Sequence, residues 1–318
     1  MIELSRWSMA ALCPMPEFVK GILRSSFELT EIQAPITQKT LQEGYDVLLT
    51  SVAAPLRAEQ VHGLPRSIRA VATYSVGLDH LDVPGLRERG IAVFNTPDVL
   101  TESVADNAML HVLATLRRAT ESIKLVRSGQ WSGWTPLQLL GREACGKQLG
   151  IFGMGRIGRG IARRARAFGM VVHYCNRRRL AATEEGEALF HADVVDFLSS
   201  IDVLVLTAPS SDSTRYFLNS ARIQCLPPGC IIVNIARGDL VDDDALIAAL
   251  NSGHVSAAGL DVFDGEPAID PRYLEMDNVF MTPHIGSSTV EARRRMAEIL
   301  VRGIEQWRCG EKPHNQVA

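Results

Sequence analysis

The sequence predicts an α/β protein made of two doubly wound parallel sheets, with the second domain inserted into the first. Three observations carry this. Short apolar runs alternate with helix-patterned stretches over almost the whole chain, as expected for parallel strands joined by crossover helices. Near the middle, Gly153, Gly155 and Gly158 form a glycine turn between a strand pattern and a helix pattern. A last helix pattern, beginning at Ser288, follows the final strand of the second domain and is free to return to the first. The expected division is 1–98 together with 288–318 against 99–287.

Composition narrows the classes. A chain of 318 residues suits two domains of ordinary size. Its 33 basic and 36 acidic residues leave a net charge of −3, which argues against a dedicated nucleic-acid surface. No run approaches the roughly 18 apolar residues of a membrane span. The apolar piece from Trp7 to Cys13 is too short, and too soon followed by Pro14 and Pro16, for a signal peptide. A soluble, cytoplasmic protein without a membrane partner is expected. Six cysteines without a C-x-x-C pair or a histidine cluster predict neither a metal site nor a disulfide framework, and Cys225 and Cys230 read as small buried residues.

In the first domain, strands are expected over 45–50, 68–73 and 91–94. The loops after two of them hold Val52 and the run Val76-Gly77-Leu78-Asp79, and loops at the carboxyl ends of parallel strands are where ligands bind. Gly77 is placed to bring backbone N–H groups near a substrate carboxylate. Residues 95–98 read as a domain crossing. Thr101 is expected to cap one long helix reaching about Ser128, with Ala105, Ala108, Val112 and Leu116 spaced for burial. Residues 129–145 carry Trp131 and Trp134 without a period, an arm that covers its own domain or reaches a neighbouring subunit.

The glycine turn follows an apolar strand at 147–152. The first glycine allows the tight turn, the second lets a pyrophosphate approach the backbone, and the third lets helix and strand pack closely. Arg156 and Ile157 open a helix whose positive end and unbonded N–H groups face the phosphates. Ile157, Ile161, Ala165 and Phe168 share one face, Gly169 ends the helix, and 170–174 forms the next strand. This is a Rossmann-like dinucleotide site. At the end of the second strand, where a carboxylate normally receives the ribose of NAD, stand Cys175-Asn176-Arg177-Arg178-Arg179, with no acid before Glu184. Guanidinium groups pair with a 2′-phosphate that an acid would repel, so NADP(H) is favoured, with NAD(H) as the alternative.

Strands at 203–206, 230–235, 256–260 and 279–281 complete this domain. Asp242, Asp243 and Asp244 read as caps of a helix over 245–251, and Ser288 with Glu291 as a capping box. Three polar groups follow strands: Arg237, Glu266 and His284. Each alone has an ordinary structural reading. Together they make an acid–base pair with an anion clamp, because a neighbouring carboxylate favours the imidazolium and an arginine orients a carboxylate.

Taken in order, residues 76–79, the glycine turn, 234–239, 259–263 with Glu266-Pro267, and 283–286 resemble the D-isomer-specific 2-hydroxyacid dehydrogenase family, NAD(P)-dependent oxidoreductases, over about residues 45–308. Within it the chain is most similar to glyoxylate/hydroxypyruvate reductases. The resemblance implies that Arg237, Glu266 and His284 are catalytic. Arg237 would bind the substrate carboxylate and carbonyl oxygen, His284 would be the general acid in reduction, and Glu266 would hold it. Val52, Val76 and Gly77 would join Arg237 and His284 in binding a small 2-oxo or 2-hydroxy acid. The cofactor set would be Val104, Gly153, Gly155, Arg156, Ile157, Gly158, Asn176, Arg177, Arg178, Pro209, Thr214, Ile235, Ala236, Asp261 and Gly286, with Asp261 toward the nicotinamide carboxamide.

The family's fold is a cofactor domain inserted into a discontinuous substrate domain, closing over a cleft, and its likeness together with the Trp131/Trp134 arm suggests a homodimer. Asn176 stands where NAD-preferring members carry an acid, which supports NADPH, and the residues before about Glu28 depart from the usual first strand. The expected reaction is reduction of glyoxylate or hydroxypyruvate to the D-2-hydroxy acid. The alternatives are a bulkier 2-oxo acid or a cofactor-sensing binding protein of the same fold. Phosphoglycerate oxidation fits less well for want of an added regulatory domain, and formate oxidation because it does not call for the His284–Glu266 pair.

Overall fold

The computed structural model describes residues 6–32 and 44–318. The chain forms two compact units, one from Met1–Leu100 with Ser288–Ala318 and the other from Thr101–Ser287. Both sheets are wholly parallel, in agreement with the expected fold class.

In the first unit the elements run β1 (Trp7–Ala11), α1 (Glu17–Arg24), β2 (Phe27–Glu31), β3 (Val47–Thr50), α2 (Ala58–His62), β4 (Ala70–Thr73), α3 (Val83–Glu88) and β5 (Ala92–Phe94). The sheet order is β2-β1-β3-β4-β5. Strands β3, β4 and β5 are buried at every position, because helices cover both faces; this is why they read as unbroken apolar runs. Alternate residues serve different cores. Met9, Val47, Leu49, Ala70 and Ala72 pack with Val19 and Leu23 of α1, while Ala10, Leu48, Val71 and Val93 pack with Val61 of α2 and Leu86 of α3.

The second unit runs α4 (Thr101–Leu116), α5 (Ala119–Arg127), β6 (Gln148–Phe152), α6 (Arg156–Ala167), β7 (Val171–Cys175), α7 (Ala182–Glu185), β8 (Leu189–His191), α8 (Val194–Ser199), β9 (Val203–Leu206), α9 (Ser220–Ile223), β10 (Cys230–Asn234), α10 (Asp243–Ser252), β11 (Val255–Leu260) and β12 (Val279–Met281). Its order is β12-β11-β10-β9-β6-β7-β8, so the chain reverses its direction of travel between β6 and β9. The chain then enters α11 (Val290–Arg308), whose Met296, Ala297, Leu300 and Ile304 complete the first unit's core beside Met9 and Val19.

Several local expectations are corrected. The long helix from Thr101 is two helices, broken at Arg118 with φ 53°. The reason lies outside the helix: Leu116 O accepts from Arg142 N at 2.8 Å, so the segment around Gly141 caps α4 where a further turn would have continued it. The cap of α11 is Thr289, whose hydroxyl accepts from Ala292 N; Ser288 bonds Arg293 instead. Phe168 is 46 % exposed and leaves the apolar face of α6 to Ile161 and Ala165. Cys230 is buried, whereas Cys225 is only half-buried. Strands β1, β2 and β8 were not foreseen.

Candidate active site

The cofactor cradle is made where β6 and β9 lie side by side, the reversal point at which doubly wound sheets bind ligands. The three glycines meet different demands. Gly153 has φ 103°, and a Cβ there would stand 2.6 Å from Ala208 N. A Cβ on Gly158 would stand 2.8 Å from Gly153 O and 3.2 Å from Ile151 Cγ2, so helix and strand touch at that point. A Cβ on Gly155 would meet nothing within 4 Å. The fold therefore requires the first and third glycines, while the space above the second is open for a ligand.

Gly155 is also the N-cap of α6 and has no side chain to bond the first amides. Among the described residues, the first-turn N–H groups of Ile157 and Gly158 have no protein acceptor, which fits a dinucleotide pyrophosphate. Around this turn, Thr207 donates to Phe152 O at 3.1 Å. In the loop after β9, Thr214 Oγ1 donates to Pro209 O at 2.8 Å.

The loop after β7 is fixed from both ends. Asn176 Oδ1 accepts from Met154 N at 2.7 Å, tying it to the glycine turn. Arg179 pairs with Glu185 at 3.0 Å, and the same carboxylate, only 8 % exposed, accepts from Tyr174 Oη at 2.6 Å. Tyr174 Oη in turn accepts from Leu180 N at 3.1 Å. Arg179 is therefore engaged within the protein, and Arg177 and Arg178 stand exposed beside it. Glu185 and Tyr174 were missed in the sequence because they are eleven residues apart on different elements.

Arg237, Glu266 and His284 follow β10, β11 and β12, which are adjacent strands. Buried Asn234 ends β10; its Nδ2 donates to Arg237 O at 2.8 Å and its Oδ1 accepts from Ala236 N at 3.1 Å, which shapes the turn that carries Arg237. Ile235 and Ala236 are nearly buried behind it. Gly238 lets this loop press on the next: a Cβ there would lie 1.9 Å from the Phe263 carbonyl carbon. Glu266 Oε1 accepts from Phe263 N at 2.8 Å, and Glu266 Oε2 meets His284 Nδ1 at 2.8 Å. Burial pushes the Glu266 carboxyl up, but the hydrogen bonds from His284 and the Phe263 amide, with the charges of His284 and Arg237, outweigh it and hold the group below its ordinary range.

His284 is a non-glycine residue at φ 53°, a sparsely populated conformation that its surroundings must impose. Asp261 imposes it. This side chain is 1 % exposed, and its carboxylate accepts from Thr282 Oγ1, from Ile285 N at 2.8 Å and from Gly286 N at 2.8 Å. The carboxylate expected toward the nicotinamide also holds the histidine turn. Ser103 of α4 adds a bond to Gly286 O at 2.7 Å, and Val104 beside it is buried against Gly286. Asn234 and Ser103 had a faint signal, as polar residues at the edge of apolar segments.

In the first unit, Val52 lies in the loop after β3, 50 % exposed, and Val76 and Gly77 follow β4. Among the described residues, neither the Val76 nor the Gly77 amide donates to a protein acceptor. Among the described residues, no helix is long and apolar enough to cross a membrane.

A glycine turn fitted to a pyrophosphate and a carboxylate-held imidazole, both after strands of one parallel sheet, suit hydride chemistry with proton transfer, the work of a nicotinamide-dependent dehydrogenase. The chain belongs to the D-isomer specific 2-hydroxyacid dehydrogenases, whose NAD-binding-domain model matches residues 109–286. It is 41 % identical over 308 residues to a glyoxylate reductase of Pyrococcus furiosus, covering 94 % of this chain and 91 % of that one. It is 40 % identical over 291 residues to a glycerate dehydrogenase of Hyphomicrobium methylovorum, covering 89 % and 90 %. A solved NADPH-dependent glyoxylate/hydroxypyruvate reductase from Sinorhizobium meliloti, in complex with NADP and malonate, is similar at a TM-score of 0.85 with 33 % identity, over 99 % of this chain and 97 % of that one.

Proposed function

We propose that this dehydrogenase reduces glyoxylate or hydroxypyruvate to the D-2-hydroxy acid and prefers NADPH. The observation that carries the chemistry is the His284–Glu266 bond. Because Nδ1 faces Glu266, Nε2 is the nitrogen left for the substrate, and no described residue bonds it. In reduction His284 gives the Nε2 proton to the carbonyl oxygen, while Glu266 stabilises the imidazolium before transfer and holds the ring afterwards. Arg237 orients the substrate carboxylate and lowers the cost of negative charge growing on oxygen. A nicotinamide held at the glycine turn would supply the hydride for C2. Val76 and Gly77 offer amides to the acid.

Preference for NADPH is supported by Asn176, which has no charge to repel a 2′-phosphate, and by the exposed Arg177 and Arg178. A homodimer is proposed from the apolar arm, in which Trp131, Trp134, Leu137 and Leu140 are 54 %, 81 %, 82 % and 67 % exposed. Six free cysteines suit a reducing, cytoplasmic setting.

Initial rates with NADPH and NADH, against glyoxylate, hydroxypyruvate, pyruvate and phenylpyruvate, test this reading. Rapid NADPH-linked turnover of the first two is expected, and His284→Ala should lower kcat about 10²–10⁴-fold with little change in cofactor affinity. Cofactor binding without turnover of any acid would instead indicate a sensor.

A further inference from the structure

At the carboxyl edge of the first unit's sheet, a half-buried cation has no carboxylate partner among the described residues. Arg293 lies in the first turns of α11. Its Nη2 donates to Ser288 Oγ at 3.1 Å, its Nη1 lies 3.8 Å from Met296 Sδ, and its guanidinium carbon lies 5.6 Å from the centre of the Tyr74 ring. Tyr74, the residue after β4, is buried and donates its hydroxyl proton to the carbonyl of Arg293, so ring and arginine hold each other by two contacts.

No carboxylate pairs with Arg293 among the described residues. Several half-buried cations elsewhere are bonded to carboxylates or, as at Arg89 and Arg222, to backbone carbonyls. Arg164, with a side chain 20 % exposed, meets Glu102 at 2.8 Å and Asp106 at 2.6 Å; Lys20, at 17 %, pairs with Glu31. A cation partly withdrawn from water is costly unless paired, and the face of one tyrosine offsets that cost only in part.

Cys13, after β1, packs in the same core as Tyr74, near enough for the Arg293 charge to act on it. Among the described residues, the carboxylate that acts on the same Cys13 thiol, Glu31, is taken by Lys20. Burial pushes that thiol up, so it stays neutral. The loops after β1 and β4 and the start of α11 therefore meet near one guanidinium, at the edge of a parallel sheet where ligands bind. In the loop after β4, the Val76 and Gly77 amides also lack protein acceptors among the described residues.

We propose that Arg293 is the centre of an oxyanion-binding site on the first unit, taking a carboxylate-class oxygen of the small acid and so setting which acids are accepted. This rests on the reductase reading for the identity of the ligand, but the anion site itself does not. Arginine suits the task because its planar fork presents two parallel donors to a carboxylate.

The test is calorimetric titration of malonate, as a carboxylate probe, into the full-length wild type, Arg293→Met and Arg293→Lys, with melting temperatures measured alongside. Malonate affinity is expected to fall at least about tenfold in Arg293→Met. It should recover in part in Arg293→Lys, which keeps the charge without the fork. In steady-state assays KM for hydroxypyruvate should rise by a similar factor, more than kcat falls, while NADPH affinity stays unchanged. Wild-type malonate binding in Arg293→Met overturns the proposal. So does a loss that lysine does not relieve and that follows a lowered melting temperature. If the wild type reduces no 2-oxo acid yet binds malonate through Arg293, the reductase reading fails and the site stands; turnover with malonate binding independent of Arg293 gives the reverse.

Discussion

Gly155→Ala adds one methyl group where no protein atom lies within 4 Å, at backbone angles of φ −80° and ψ −157° that alanine adopts without strain. Two small effects act on the unliganded protein. Alanine is a poorer N-cap than glycine, at a cost of about 0.5–1 kcal/mol. It also restricts the unfolded chain, which returns about 0.4–1 kcal/mol. The net change is near zero.

Gly158→Ala differs only in place: its methyl group would lie 2.8 Å from Gly153 O and 3.2 Å from Ile151 Cγ2, an overpacking that costs about 1–3 kcal/mol. In a unit of this size each kcal/mol shifts the melting temperature by about 2–4 °C. Scanning fluorimetry without ligand should therefore show Gly155→Ala melting with the wild type and Gly158→Ala several degrees lower. Fluorescence titration with NADPH, and separately with NADH, should show Gly155→Ala binding at least about tenfold more weakly, or about 1.4 kcal/mol. Wild-type cofactor affinity in Gly155→Ala would mean that no phosphate passes over that residue, and a low melting point would mean that the fold needs it.

Three further outcomes are expected. Asn176→Asp retains an oxygen for Met154 N but adds a charge, so NADPH affinity should drop at least about tenfold while NADH affinity holds or improves; equal affinities for both nucleotides before and after would remove Asn176 from cofactor choice. Glu266 titrates below its ordinary value of 4.5 in the folded protein, so its stabilising contribution is complete above that value and is lost as the pH falls through the folded one. Denaturant melts of the wild type and Glu266→Gln should therefore converge between about pH 6 and pH 3, and a constant gap would contradict the assignment. Sedimentation velocity should find a dimer that Trp134→Glu with Leu137→Glu weakens; an unchanged distribution would place the interface elsewhere.

The sequence made the fold legible where burial is one-sided or complete. Strands β9 and β10 are apolar at almost every position because helices cover both faces, and the glycine turn is specified by steric needs that only glycine meets. Arg237, Glu266 and His284 were legible as chemical types after strands. What holds them was not. Asn234, Asp261 and Ser103 act through bonds to backbone atoms, and such bonds leave no periodic trace. The break after α4 carries no glycine or proline, since the carbonyl end of that helix is taken by a segment some 25 residues later. Strand β8, at three residues, is too short to show alternation and exists by pairing with β7.

The bond between Arg179 and Glu185 bears on how the cofactor preference of such an enzyme is redesigned. A loop transplanted over 176–179 alone would strip a nearly buried carboxylate of its cation and leave Tyr174 as its remaining partner. The portable module is therefore longer than the loop: it extends through α7 to Glu185 and back to Tyr174 on β7. Swaps that respect those limits move a self-contained electrostatic unit, and swaps that cut across them exchange one specificity problem for a stability problem.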